Sequence, residues 1–146
     1  MIEYTLVPAG KGFEASSQSD RYSIAMRWFS LAATAHDERG NAVASMQRSS
    51  WWRLNYRIET KNERYAFSSS AFNDTLLAKN ANTTYLSHGS IEFYDSNGNR
   101  ITELSRNQSP PGSLNLKIHV VDHQLALILV SCLYYKTVMA APGHAV

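Results

Sequence analysis

The stretch Gln124-Leu125-Ala126-Leu127-Ile128-Leu129-Val130-Ser131-Cys132-Leu133-Tyr134-Tyr135 carries no charge and is apolar on every side. It must leave water, yet spanning a bilayer takes about 20 residues, so a core element is expected rather than an anchor. Leu and Ala dominate its first half, and the pattern runs on through Thr137, Val138 and Met139 to a stop at Pro142-Gly143, which favours one helix over one strand. On a helical wheel Leu125, Ile128, Leu129 and Cys132 take one side, and Leu127, Val130, Leu133 and Tyr134 take the others. A helix with no polar stripe is buried all round, so the rest of the chain has to wall it in. Asp122 stands at the N-cap position, and Ser131 is expected to return its hydroxyl proton to the carbonyl of Leu127.

The wall is read from strand signals. Residues 2 to 7 form a short strand ended by Pro8, and residues 8–20 are small, polar and loop-like. Trp51 to Glu59 is the cleanest strand, with Trp52, Leu54, Tyr56 and Ile58 on a core face and Trp51, Arg53, Asn55, Arg57 and Glu59 on a wet one. Short strands follow at Arg64 to Ser69, Thr75 to Lys79, Thr83 to Ser87, Ser90 to Asp95 and Arg100 to Ser105. Leu114, Leu116, Ile118 and Val120 then alternate with polar residues and lead into the apolar helix. Tyr22 to His36 suits either a helix or a strand by periodicity.

A repeat decides that ambiguity. His36-Asp37-Glu38-Arg39-Gly40-Asn41-Ala42-Val43 returns as Tyr94-Asp95-Ser96-Asn97-Gly98-Asn99-Arg100-Ile101. Asp opening a turn, with Gly able to go left-handed three residues later, is the chemistry of a hairpin turn with an adjoining bulge. Each copy should therefore join two antiparallel strands, which makes Ser30 to His36 the end of a strand and Ala42 to Gln47 its partner. The repeat also hints at two related halves.

About ten to twelve short strands before one wholly apolar helix imply a mostly β fold. The expected form is a closed antiparallel β-barrel around the buried C-terminal helix, since closure removes unpaired edges. The 146 residues, 44% hydrophobic and 18% charged, make a single domain, 1–146, with its core from about 21 to 141. A net charge of +2 is too small to imply nucleic-acid binding. The N-terminus lacks a secretory pattern, so the expected location is cytoplasmic. The one cysteine, Cys132, lies inside the apolar run and is read as an inert buried thiol.

The order of an Asp-x-x-Gly hairpin, further antiparallel hairpins and a last strand passing through Asp122 into a Leu/Ala/Val-rich terminal helix resembles the tubby C-terminal-like fold. That group includes tubby proteins, phospholipid scramblases and the LURP-one-related proteins. The resemblance covers about Tyr22 to Met139 and implies a barrel around a central hydrophobic helix. It carries no individual functional residue over to this chain.

Sites for chemistry are few. Asp95, Asn97 and Asn99 suggest a calcium loop, but Arg100 stands where that loop needs Gly and Arg106 where it needs its bidentate acid. His119 and His123 have zinc-ligand spacing but straddle a strand end and a helix start, with no Glu beside the first. No catalytic triad, phosphate loop, cofactor or metal site is nominated. The strongest functional feature is basic: Arg48, Arg53, Arg57, Lys61 and Arg64, flanked by Trp51 and opposed only by Glu59 and Glu63. Such a face suits anionic lipid headgroups or a protein partner. As a plain solvated strand face it would discourage edge pairing. The first expectation is a non-enzymatic binding or scaffold module with only peripheral membrane contact. The alternative is a lipocalin-like barrel holding a small apolar ligand, with its helix packed outside. A filled lumen separates the two.

Overall fold

The computed structural model describes residues 1–27, 32–48, 55–69, 75–88, 91–107, 111–119 and 122–135. Among the described residues twelve strands precede one helix. They are β1 (Ile2–Ala9), β2 (Gly12–Ser16), β3 (Arg21–Arg27), β4 (Ala32–His36), β5 (Ala42–Arg48), β6 (Asn55–Thr60), β7 (Arg64–Ser69), β8 (Thr75–Lys79), β9 (Thr84–His88), β10 (Tyr94–Asp95), β11 (Thr102–Arg106) and β12 (Leu114–Ile118), followed by α1 (His123–Tyr134). All pair antiparallel in one 12-stranded sheet, in the order β10 to β1 and then β12 and β11. The sheet curls into a barrel that is nearly closed. Its one seam lies between β10 and β11, where Tyr94 bridges Arg100, the Ile101 N–H donates to the Phe93 carbonyl at 2.8 Å and the Phe93 N–H donates to Thr102 Oγ1 at 2.8 Å. The Phe93 side chain is fully buried and helps fill the gap.

The barrel is built by alternation. Tyr56 and Ile58 of β6, Tyr65 and Phe67 of β7, and Leu114, Leu116 and Ile118 of β12 point inward, while Arg57, Ala66 and Lys117 point to solvent. A helix with its side chains is about 10 Å across. Room for it comes from small inward residues, Ala15, Ala33, Ala35 and Ala44, on strands β2, β4 and β5 that α1 packs against. Every residue from Leu125 to Tyr134 is buried, so the helix occupies the lumen, as a helix without a polar stripe requires.

The two turn repeats fold alike. In each, the Asp N–H donates to the Asn carbonyl, the Gly N–H donates back to the Asp carbonyl, and Asp Oδ1 accepts two further backbone N–H bonds: Arg39 and Asn41 on Asp37, Asn97 and Asn99 on Asp95. Gly40 and Gly98 sit at φ of +82° and +84°, where a side chain would be strained. These backbone donors hold the carboxyls of Asp37 and Asp95 below their ordinary value. A depressed folded-state pKa favours folding above the ordinary carboxylate range, and that contribution fades as pH falls through the depressed value. The first turn joins β4 to β5 beside a register shift at Ala35/His36, and the second joins β10 to β11.

Three expectations need correction. The segment 8–20 is not a loop: β1 continues through Pro8, and β2 lies within this stretch, with Phe13 and Ala15 in the core. Pro8 is tolerated because it stands beyond the last β1–β12 pair, Leu6↔Leu114, so β12 requires no donor from it. The core therefore begins at Tyr4 rather than at Arg21. Of the strand expected over Ser90 to Asp95, Ser90 lies outside the described residues and among the others only Tyr94–Asp95 is strand, beside the seam. Finally, Ser131 Oγ is buried without a hydrogen-bond partner, so the bond to Leu127 is not made. An unsatisfied buried hydroxyl costs about 1–3 kcal/mol. Ser131→Ala is accordingly expected to stabilise the protein by about 1 kcal/mol in urea unfolding; a loss of stability would show that the hydroxyl has a partner in solution. Of the strand expected over Trp51 to Glu59, residues 51–54 lie outside the described residues and Asn55 to Glu59 alternate as expected.

Candidate functional site

The basic residues from Arg48 to Arg64 fall into three places. On the outer wall, Arg57 and Glu59 project from β6, and Arg64 of β7 lies opposite Glu59. Glu59 Oε1 takes Arg57 Nε at 3.2 Å and Arg64 Nε at 3.8 Å. One carboxylate thus serves two guanidiniums, whose side chains remain 58% and 81% exposed. Ion pairs this exposed contribute little to stability and leave the cations accessible.

Lys61 sits elsewhere, in the β6–β7 turn. Its backbone N–H donates to Gln124 Oε1 at 2.9 Å, which places it at the helix N-terminal end of the barrel, about 13 Å from Arg57 at strand rise. A groove of about 350 Å³ there is lined by Asp20, Asp37 and Glu38 together with Arg21, Arg39 and Lys61, a balanced set with no preference for an anion. Arg48 is the last residue of β5 and lies opposite buried Tyr56, on the rim at the other end. Trp51 and Arg53 lie outside the described residues. Arg57 and Arg64 therefore form a cluster, while Arg48 and Lys61 flank it at opposite ends.

A feature that sequence reasoning reached only in part ties Lys61's turn to the helix. Asp122 caps α1 by accepting the Leu125 N–H at 3.3 Å, and its other oxygen accepts the hydroxyls of Thr60 at 2.7 Å and Tyr65 at 3.0 Å. Burial, then the charge and hydrogen bond of Asp122, push the Tyr65 hydroxyl above its ordinary value, so it stays a donor. The N-cap was legible from Asp122 alone. Its two hydroxyl partners lie 62 and 57 residues away, and no local signal announces them.

The metal-like motifs are otherwise engaged. Asp95 is committed to its own turn, His119 Nε2 contacts Glu103 Oε2 at 2.9 Å, and the His123 ring packs edge-on against Tyr4. Among the described residues no group of three or more His, Cys, Asp or Glu side chains could hold a metal ion. Burial pushes the Cys132 thiol up to about 12, far from the range in which a thiolate would react. No helix among the described residues is long and apolar enough to cross a membrane. No protein-family model matches the chain, and neither does any curated protein or solved structure.

Proposed function

We propose that the protein is a non-enzymatic, cytoplasmic binding module of tubby-like build that docks peripherally on anionic lipid headgroups. The observation that carries this reading is the pair Arg57 and Arg64 on the outer wall, two exposed guanidiniums that share the one carboxylate of Glu59, with exposed Arg48 and Lys61 flanking them at opposite ends of the barrel. The lipocalin-like alternative needs an open lumen, and α1 takes that space, which favours a module that works through its surface. Each Lys or Arg near an anionic surface contributes about 1 kcal/mol, and the attraction decays over a Debye length of about 8 Å at physiological salt.

The expected result in cosedimentation is binding to vesicles of phosphatidylcholine with phosphatidylserine at low salt, release at high salt, and no binding to phosphatidylcholine alone. Failure to bind the anionic vesicles at low salt would overturn the lipid reading. An acidic protein surface would then be the partner that the same cations fit.

A further inference from the structure

The two Asp-x-x-Gly-Asn turns share a backbone and differ in chemistry. The residue before the glycine is Arg39 in the first turn and Asn97 in the second. Asn97-Gly98 is the one Asn-Gly pair in the chain, and every other asparagine precedes a residue that has a Cβ. The difference matters because the backbone nitrogen after an asparagine can attack its side-chain amide, and only glycine leaves that nitrogen unhindered by a Cβ. Ser96 to Arg100 are all exposed, and among the described residues no hydrogen bond holds the Asn97 side-chain amide. A Cβ placed on Gly98 would meet nothing within 4 Å, so the space around the reacting atoms is open.

What restrains the reaction is the turn itself. The Gly98 N–H donates to the Asp95 carbonyl at 3.1 Å, and the Asn97 and Asn99 N–H groups both donate to Asp95 Oδ1 at 2.9 Å. The Gly98 nitrogen has to leave the Asp95 carbonyl before it can reach Asn97 Cγ, so the reaction waits on local opening. The first turn is anchored by four paired positions between β4 and β5. The second hangs from β10, a strand of two residues, and from the bridge Tyr94↔Arg100 with the bond from the Ile101 N–H to the Phe93 carbonyl behind it. Few sheet bonds oppose its opening.

We infer that Asn97 is a site of spontaneous deamidation, and that its isoaspartyl product loosens the seam of the barrel. The chemistry is independent of what the protein binds. The Gly98 nitrogen gives up its proton to base and bonds to Asn97 Cγ, the bond from Cγ to the side-chain nitrogen breaks, and ammonia leaves with a proton from water. Water then opens the five-membered succinimide. Attack at Cγ restores a normal backbone with aspartate at this position, whereas attack at the main-chain carbonyl carbon sends the backbone through the side chain and leaves isoaspartate. Both routes exchange an amide for a carboxylate and consume only water. Isoaspartate adds a methylene to the main chain inside the turn, so the Gly98 and Asn99 donors no longer both meet Asp95. The new carboxylate also stands close to that of Asp95, and the two repel. The bridge across the seam begins at the next residue, Arg100, and loses its register with the turn.

The test ages the full-length protein at physiological temperature, at neutral and at mildly alkaline pH, and follows it by peptide mapping. Acid is expected at position 97, as both aspartate and isoaspartate, ahead of every other asparagine and at a rate that rises in proportion to hydroxide. A methyltransferase specific for isoaspartyl groups is expected to label the aged protein. Asn97→Arg, which copies the first turn, and Asn97→Gln are expected to stay unlabelled, with thermal melts confirming their fold. Hydrogen exchange at the Phe93 and Ile101 amides is expected to quicken several-fold in aged wild type and not in either aged variant. If Asn97 keeps its amide in the folded protein while the urea-unfolded chain loses it, the closed turn protects the site and the inference is overturned. Deamidation that falls first on another asparagine overturns it equally. Isoaspartate at position 97 with unchanged exchange at Phe93 and Ile101 would overturn the loosening of the seam and leave the site standing.

Discussion

A chain cut after Asp122 is expected to give no cooperatively melting protein, and Leu129→Asp is expected to do the same in the full-length chain. Leu129 is 1% exposed and lies within the run from Leu125 to Tyr134, all of it buried. A carboxylate at that position would have no partner inside an apolar lumen, and its burial would cost several kcal/mol against a total stability of about 5–15 kcal/mol. Truncation acts differently, by leaving the inward faces of Tyr4, Leu6, Ile58 and Leu116 around an empty axis. Circular dichroism melts and size-exclusion elution decide the matter. A truncated chain that melted near the full-length temperature would show that the wall stands without the helix.

Asp122→Ala is expected to cost about 2–4 kcal/mol, because an N-cap contributes about 0.5–2 kcal/mol and the buried Tyr65 hydroxyl left without its acceptor about 1–3 kcal/mol, whereas the Thr60 hydroxyl still has the Glu63 carbonyl to donate to. For a domain of this size that lowers the melting temperature by about 10 °C. Asp122→Asn should do less harm, since its amide oxygen can still accept from a hydroxyl or from the Leu125 N–H. A double-mutant cycle with Tyr65→Phe sharpens the result, because once Asp122 is gone the loss of the Tyr65 hydroxyl should cost little further. An Asp122→Ala protein as stable as wild type would mean that the cap and its hydroxyl clasp hold nothing in place.

The features that could be read from the sequence are those set by local pattern. An apolar run with no polar stripe had to be central, and α1 is. Asp-x-x-Gly-Asn had to be a hairpin turn, and both copies make the same bonds. Tyr56 and Ile58 alternate with Arg57 and Glu59 as expected of a half-buried strand. Features that depend on partners distant in the chain were hidden. Residues 12–16 read as polar and small, and only pairing with β1 and β3 makes them a strand. Gly12 shows why: a Cβ there would meet the Ile24 carbonyl oxygen, so a residue that suggests a loop is required by a close strand approach.

The helix that fills the barrel follows all twelve strands in the chain. During synthesis from the N-terminus, the whole wall emerges before the element that gives its inner face something to pack on, and β1 must wait for β12 to find its second neighbour. Contacts so distant in sequence form slowly, and until they form the nascent strands expose apolar faces and free edges. The last residues of the helix to leave the ribosome therefore act as a release step for the whole domain, and holdase chaperones have their longest opportunity at the moment when only α1 is missing.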